Sequence, residues 1–168
     1  MRRLATTVVP HDWKDRLAWR IAVVGGVGLS PWGPGTAGSL VSLLLWGPLV
    51  MLSAPVWARA AVVVTVTLLG VWASAATAPM LGEEDPRQIV IDEVAGQGVA
   101  LLLCPPSLGA LVLAFGLFRL FDIAKPWPIS LIDRRVKGAW GIMLDDVAAG
   151  LAALATLFVL GQNDCLSG

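Results

Sequence analysis

VAGQGVALLLCPPSLGALVLAFGLF, residues 94–118, carries no charged side chain, and its centre decides the fold. Read as one continuous helix, it would cross a membrane and send the polar segments flanking it to opposite faces. Cys104-Pro105-Pro106-Ser107 argues against that, because proline lacks an amide N–H and breaks a helix interior. Two helices joined at those prolines, each about 17 residues or about 25 Å long with its charged end, form a hairpin instead. The hairpin returns the acidic segment 83–93 and the basic segment 119–137 to one surface. Only this arrangement lets the two segments share a polar site.

The rest of the chain supports a membrane setting. Its 168 residues suit one domain. Hydrophobic residues make up 57% and charged residues 14%, with a mean hydropathy of +0.77, whereas soluble domains carry roughly 25% charge. Further uncharged gaps run over residues 21–58, 60–82 and 147–163. A membrane-crossing helix needs about 20 apolar residues, and three of the four gaps are long enough. The expected fold is therefore all-α, a compact membrane-embedded helical bundle. Twelve acidic residues balance twelve basic ones, so nucleic acid is excluded as a general partner, since binding its phosphates needs a basic surplus. So apolar a chain is not disordered. The opening MRRLATTVVPHDWKDRLAWR has no apolar core or cleavage site of a signal peptide. Cys104 and Cys165 form neither a disulfide framework nor a zinc pattern.

Along the chain, Lys14, Arg16 and Arg20 alternate with Trp13, Leu17 and Trp19. This pattern suits an amphipathic helix on a membrane surface or a solvated helix face. Residues 25–39, rich in glycine and proline, read as an ordered loop. Candidate spans follow at 40–52 and 56–78. Asp85-Pro86 reads as an N-cap and first helical position, opening a helix to Leu103. Further helices are expected over 108–121 and 145–160. The basic N-terminal segment and the basic loop 119–137 favour the cytoplasmic side.

With so little charge, each acid is informative. Asp92 and Glu93 lie in IVIDEVAG, and Asp145 and Asp146 in IMLDDVAAG, a short internal echo. Both pairs sit at corresponding depths on apolar helices, where an ionised acid is costly unless it is paired or binds a cation. Carboxylates without histidine or cysteine suit a hard divalent cation, Mg²⁺ first. The competing reading makes them helix caps or partners of Arg87, Arg134 or Lys137. In FRLFDIAKPWPISLIDRR, Asp122 and Lys125 lie one turn apart before Pro126, and Asp133 and Arg134 follow. Such a mixture suits phosphoryl chemistry, with cations on the non-bridging oxygens and carboxylates holding metal. Arg134, Arg135 and Lys137 also read as positive-inside residues, and Trp127 as an interfacial anchor. GPGTAGS, residues 33–39, precedes an apolar helix and offers backbone N–H groups to an anion, although a plain cap and turn fits equally. No lysine follows its last glycine, so it is not a Walker A loop. His11, alone and far from the acids, carries no phosphatase mechanism, and Cys104 lacks the Cys-x5-Arg loop of a phosphocysteine enzyme.

Taken together, GLSPWGPGTAGS, DEVAGQ and FRLFDIAKPWPISLIDRRVKGAWGIMLDDVAAG resemble the phosphatidylglycerophosphatase A family, over residues 28–150. The resemblance implies a single all-helical domain over 1–168 with a variable basic amphipathic segment at 1–20. It implies a Mg²⁺-dependent enzyme of the bacterial inner membrane, its site at the cytoplasmic helix ends. That family removes the terminal phosphate of phosphatidylglycerophosphate. On this reading Asp92, Glu93, Asp145, Asp146 and Asp122 form the metal shell. Arg119, Lys125 and Arg134 grip phosphate, aided by the backbone at Gly35, Thr36, Gly38 and Ser39. A water at the metal attacks phosphorus, with an aspartyl-phosphate on Asp122 or Asp133 as the alternative. Two other classes stay open: a small cation carrier, which does not need Lys125 and Arg134 beside the acids, and a non-catalytic lipid-binding protein. The DG-x2-AR pattern of CDP-alcohol phosphotransfer is absent.

Overall fold

The structure, a computed structural model, describes residues 12–164; His11 and Cys165 lie outside them. Among the described residues seven α-helices run in order: α1 (Trp13–Ala22), α2 (Pro34–Met51), α3 (Val56–Leu81), α4 (Ile91–Ala100), α5 (Leu108–Ala124), α6 (Ile129–Arg135) and α7 (Gly138–Asp164). A 3-10 segment, Val24–Leu29, joins α1 to α2. Among the described residues there is no strand, and the all-α bundle is as expected. Helices α2, α3 and α7 are each long and apolar enough to cross a membrane. Pro105 and Pro106 separate α4 from α5, so the chain does turn back there.

Short α4 is the hub of the bundle. Its side chains from Val94 to Ala100 are all buried, and α2, α3, α5 and α7 pack around it. The α4–α7 crossing is so close that no side chain fits between the backbones. A Cβ on Gly96 would lie 2.5 Å from the Asp146 carbonyl oxygen and 2.6 Å from the Phe118 ring. One on Gly150 would strike the Gly96 carbonyl oxygen. Small residues at such a crossing let membrane helices gain backbone-to-backbone packing. On another side, the Trp46 ring of α2 covers Gly98 and donates its Nε1–H to the Val94 carbonyl at 2.9 Å.

At the hairpin end, Arg59 of α3 is buried and does the work of a C-cap for α4. Its Nη1 donates to the carbonyls of Leu101 (3.3 Å), Leu102 (3.2 Å) and Cys104 (3.0 Å), and its Nε to Ala54 (2.8 Å). Leu101 is the C-cap residue of α4, and Leu102 and Cys104 follow in the turn, so a cation there meets the negative end of the helix dipole.

Four boundaries differ from the sequence expectations. Residues 34–39 are the opening of α2 rather than loop: Pro34 at the first helical position tolerates its missing N–H, and the preceding Gly33 takes the left-handed conformation at φ 67° that turns the chain in. Asp85-Pro86 does not start α4. Pro86 begins a turn instead, with Ile89 N–H on its carbonyl, and Val90 N–H is drawn to the Ala22 carbonyl of α1. Residues 83–90 thus form a strap, and helix starts only at Ile91. The far end of α4 stops at Ala100 rather than Leu103, where Arg59 takes the carbonyls. Finally, α7 starts at Gly138, about two turns before Asp145, so that acidic pair lies inside the helix and not at its tip.

The Gly96 contact makes a direct test. Gly96→Ala is expected to lower stability by about 1–3 kcal/mol through overpacking, seen as a lower melting temperature in detergent. Gly116→Ala on α5, where an added Cβ meets nothing, is expected to leave it unchanged or raise it slightly.

Candidate functional site

The crossing of α4 and α7 sets the site. Asp92 and Gly96 are four residues apart, as are Asp146 and Gly150, so each acid lies one turn above the contact on the same helix face. One ligand oxygen from each of Asp92, Glu93 and Asp146 can be chosen so that all three lie within 4.8 Å of one another. These acids line a cleft of about 240 Å³ together with Pro34, Gly35, Asp85, Pro86, Arg87, Ile89, Asp122, Lys125 and Asp145. The cleft is built where α2 and α4 begin, α5 ends and the first turns of α7 pass, with the strap as its remaining wall. Gly35 borders the acids closely: a Cβ at that position would push the Glu93 carboxylate aside.

Burial, followed by the charges of Glu93 and Asp146, pushes the Asp92 carboxyl well above the usual carboxylate range. Burial also raises Glu93, although its hydrogen bond with Asp92 works the other way. The position of both in the first turn of α4 opposes these effects, since the helix N-terminus favours negative charge. Buried Glu93 Oε2 and Asp146 Oδ2 have no hydrogen-bond partner.

The other acids of the site are held by cations. Asp122 receives Arg119 Nη1 at 2.5 Å, and the same guanidinium reaches Ser39 Oγ at 3.2 Å and Thr36 Oγ1 at 3.4 Å, tying α5 to α2. Lys125 caps α5 in the left-handed conformation at φ 41°. From there its Nζ bridges Asp133 of α6 at 2.6 Å and Asp145 of α7 at 2.5 Å. Burial works against the charge on Lys125, but its hydrogen bonds to Asp133 and Asp145 outweigh that and raise its pKa.

Of the five expected metal-shell acids, three cluster. Asp145 is engaged by Lys125 and by the Asp146 backbone N–H at 3.1 Å, and Asp122 by Arg119. Thr36 stands at the surface beside Arg119. Gly38 and Ser39 are buried behind the cleft wall: a Cβ on Gly38 would lie 2.9 Å from Val90 Cβ, and Ser39 Oγ donates to the Gly35 carbonyl at 2.9 Å. Arg134 is not brought to the cleft; it is exposed and bonds Ser130 on its own helix. Asp133 reaches the site only through Lys125. The sequence reading passed over Arg87 as a cleft residue and Gly96 and Gly150 as the contact. The matching Asp-x3-Gly spacing on both helices was the available signal for the latter.

Three apolar helices of crossing length and a carboxylate-rich cleft at one end of their bundle define a helical membrane protein with a built polar site. A family model, phosphatidylglycerophosphatase A, matches residues 20–161, and the chain belongs to that family. It is 38% identical over 148 residues to phosphatidylglycerophosphatase A of Escherichia coli, covering 86% of this chain and 84% of that protein. It is 36% identical over 143 residues to the Haemophilus influenzae protein of the same name, covering 83% and 86%. A Bacteroides thetaiotaomicron protein provisionally named phosphatidylinositol-3-phosphatase is 39% identical over 140 residues, covering 80% and 87%. No solved structure matches the chain.

Lys125→Met tests the bridge. It leaves buried Asp145 without its cation, at an expected cost of about 1–3 kcal/mol, read as a lower melting temperature in detergent. Asp133→Asn, which leaves Lys125 its bond to Asp145, should cost less.

Proposed function

We propose that this chain is a lipid phosphatase of the bacterial inner membrane that hydrolyses the terminal phosphomonoester of phosphatidylglycerophosphate to phosphatidylglycerol and inorganic phosphate, with Mg²⁺ as its cofactor. The observation that carries this reading is the convergence of Asp92, Glu93 and Asp146 in the cleft of a chain from the phosphatidylglycerophosphatase A family. The names of the similar proteins share one chemistry: a phosphomonoester on a head group that a phosphodiester joins to the lipid.

The residues fit Mg²⁺. All three donors are carboxylate oxygens, as a hard cation prefers, and two of their buried oxygens lack any other partner. Asp92, Glu93 and Asp146 would hold the ion. Bound there, it neutralises phosphoryl oxygens as charge develops on them. Lys125 lines the cleft and supplies a further positive charge to those oxygens, while it fixes Asp145 beneath. The free N–H groups of the first turn of α2, beside Gly35, offer donors to the same phosphate.

In the hydrolysis, the oxygen of an attacking water bonds to phosphorus as the bond from phosphorus to the glycerol oxygen breaks, and the leaving oxygen takes up the proton that the water gives up. Asp122, aimed by Arg119 and facing the cleft, is the residue suited to orient the water and receive its proton. The covalent alternative on Asp133 is weakened by that residue's place outside the cleft and its bond to Lys125.

Membrane placement follows from the same end of the molecule. Trp32 and Trp127, 88% and 78% exposed, flank the cleft-lining residues Pro34 and Lys125 in the chain, and tryptophans gather at the head-group level. With the basic residues of 119–137 on that side, the cleft faces the cytoplasm by the positive-inside rule. The acyl chains stay in the bilayer while the head group enters the cleft.

Phosphate release from phosphatidylglycerophosphate in detergent micelles is expected to require Mg²⁺ and to stop with EDTA. Asp146→Asn should lower it at least about 100-fold. Mg²⁺ should also raise the melting temperature of the wild type by mass action, and not that of the variant. A folded wild type that releases no phosphate with Mg²⁺ present would falsify the reading.

A further inference from the structure

The cations around the cleft are unequally committed. Lys125 is bonded to Asp133 and Asp145, and Arg119 to Asp122, Ser39 and Thr36. Arg87 is different. It lines the same cleft as Asp85, Asp92, Glu93, Asp122, Asp145 and Asp146, yet among the described residues it makes no ion pair and no side-chain hydrogen bond. Its side chain is exposed, whereas its backbone is fixed. The strap residues around it, Pro86, Ile89 and Val90, are buried, and Val90 N–H is bonded to the Ala22 carbonyl at 2.9 Å. An anchored strap thus presents an open guanidinium at the mouth of a cleft whose acids Asp145 and Asp146 are buried.

A guanidinium with all its donors open, held beside a site for phosphate esters, suits the paired oxygens of a phosphate group. The reacting phosphomonoester must descend to Asp146, which is 4% exposed. A cation at the rim meets the next anionic group outward along the substrate, which is the phosphodiester linking the head group to the lipid. We infer that Arg87 is the subsite for this internal phosphodiester, and that it selects lipids carrying both phosphates. The inference rests on the phosphatase reading for its substrate.

The detergent-solubilised full chain and its Arg87→Ala and Arg87→Lys variants test this in two ways. Steady-state kinetics on phosphatidylglycerophosphate would be combined with inhibition by each product. Phosphatidylglycerol keeps the diester and lacks the monoester; inorganic phosphate is the reverse. Calorimetric titration with glycerophosphoglycerol, the soluble diester head group, gives a readout independent of turnover. For Arg87→Ala, the KM, the phosphatidylglycerol inhibition constant and the head-group Kd should rise together by about 10- to 100-fold, as for a lost charge-assisted hydrogen bond. The kcat should stay within about threefold, inhibition by inorganic phosphate should not change, and Arg87→Lys should recover part of the loss. Weakened inhibition by inorganic phosphate alone would overturn the assignment by placing Arg87 on the reacting group. Wild-type turnover with KM and head-group binding indifferent to Arg87 would overturn it and leave the phosphatase reading intact. Arg87-dependent head-group binding in a wild type that releases no phosphate would support the diester subsite while the phosphatase reading falls.

Discussion

The contact between the backbones of α4 and α7 is the constraint on which the site depends. Gly96 and Gly150 remove the side chains that would keep the helices apart, and the close approach lets Asp92, Glu93 and Asp146 converge. An assembly of acids needs such a rigid frame, because mutual repulsion and desolvation would otherwise drive the carboxylates apart or neutralise them. Here the frame is packing. Trp46 and Phe118 close on α4 at Gly98 and Gly96, and Val90 closes on α2 at Gly38, each where an added Cβ would clash.

Around that frame the cations work as struts. Arg119 joins α5 to the first turns of α2, and Lys125 joins the end of α5 to α6 and α7. Each also occupies an acid, so the carboxylates divide into a cation-bonded set, Asp122, Asp133 and Asp145, and an open set, Asp92, Glu93 and Asp146. Nearness to the cleft does not explain the division, since Asp145 and Asp146 are neighbours in one helix. Helical geometry does: successive side chains point about 100° apart, one toward Lys125 and the other toward α4.

Much of this was legible in the sequence. Proline at 105 and 106 announced the hairpin, and the uncharged gaps marked α2, α3 and α7. The scarcity of charge singled out the acids that matter. What sequence could not show was direction and register. Local rules assigned residues 34–39 to a loop, because glycine and proline are poor in a helix interior, whereas proline is welcome at its first turn. Asp85-Pro86 has the chemistry of a helix start, but the Ala22 carbonyl captured Val90 and shifted that start to Ile91. The second error arises where a tertiary contact outweighs a local preference, whereas the first misjudged where in its helix Pro34 would stand. Arg134 illustrates the same limit, since a run of basic residues does not say which of them turns toward a cleft and which lies along its own helix.

Arg59 has a consequence for how the chain is assembled. Three of its four carbonyl partners belong to the turn after α4, which is synthesised more than forty residues later than Arg59 itself. Until that turn arrives, the first turn of α3 holds a guanidinium with one carbonyl for company, and such a charge is expensive away from water. Insertion of α3 and closure of the α4–α5 hairpin are therefore energetically linked. Biogenesis in the bilayer is coupled by a buried charge, at the opposite end of the molecule from the one where chemistry is proposed.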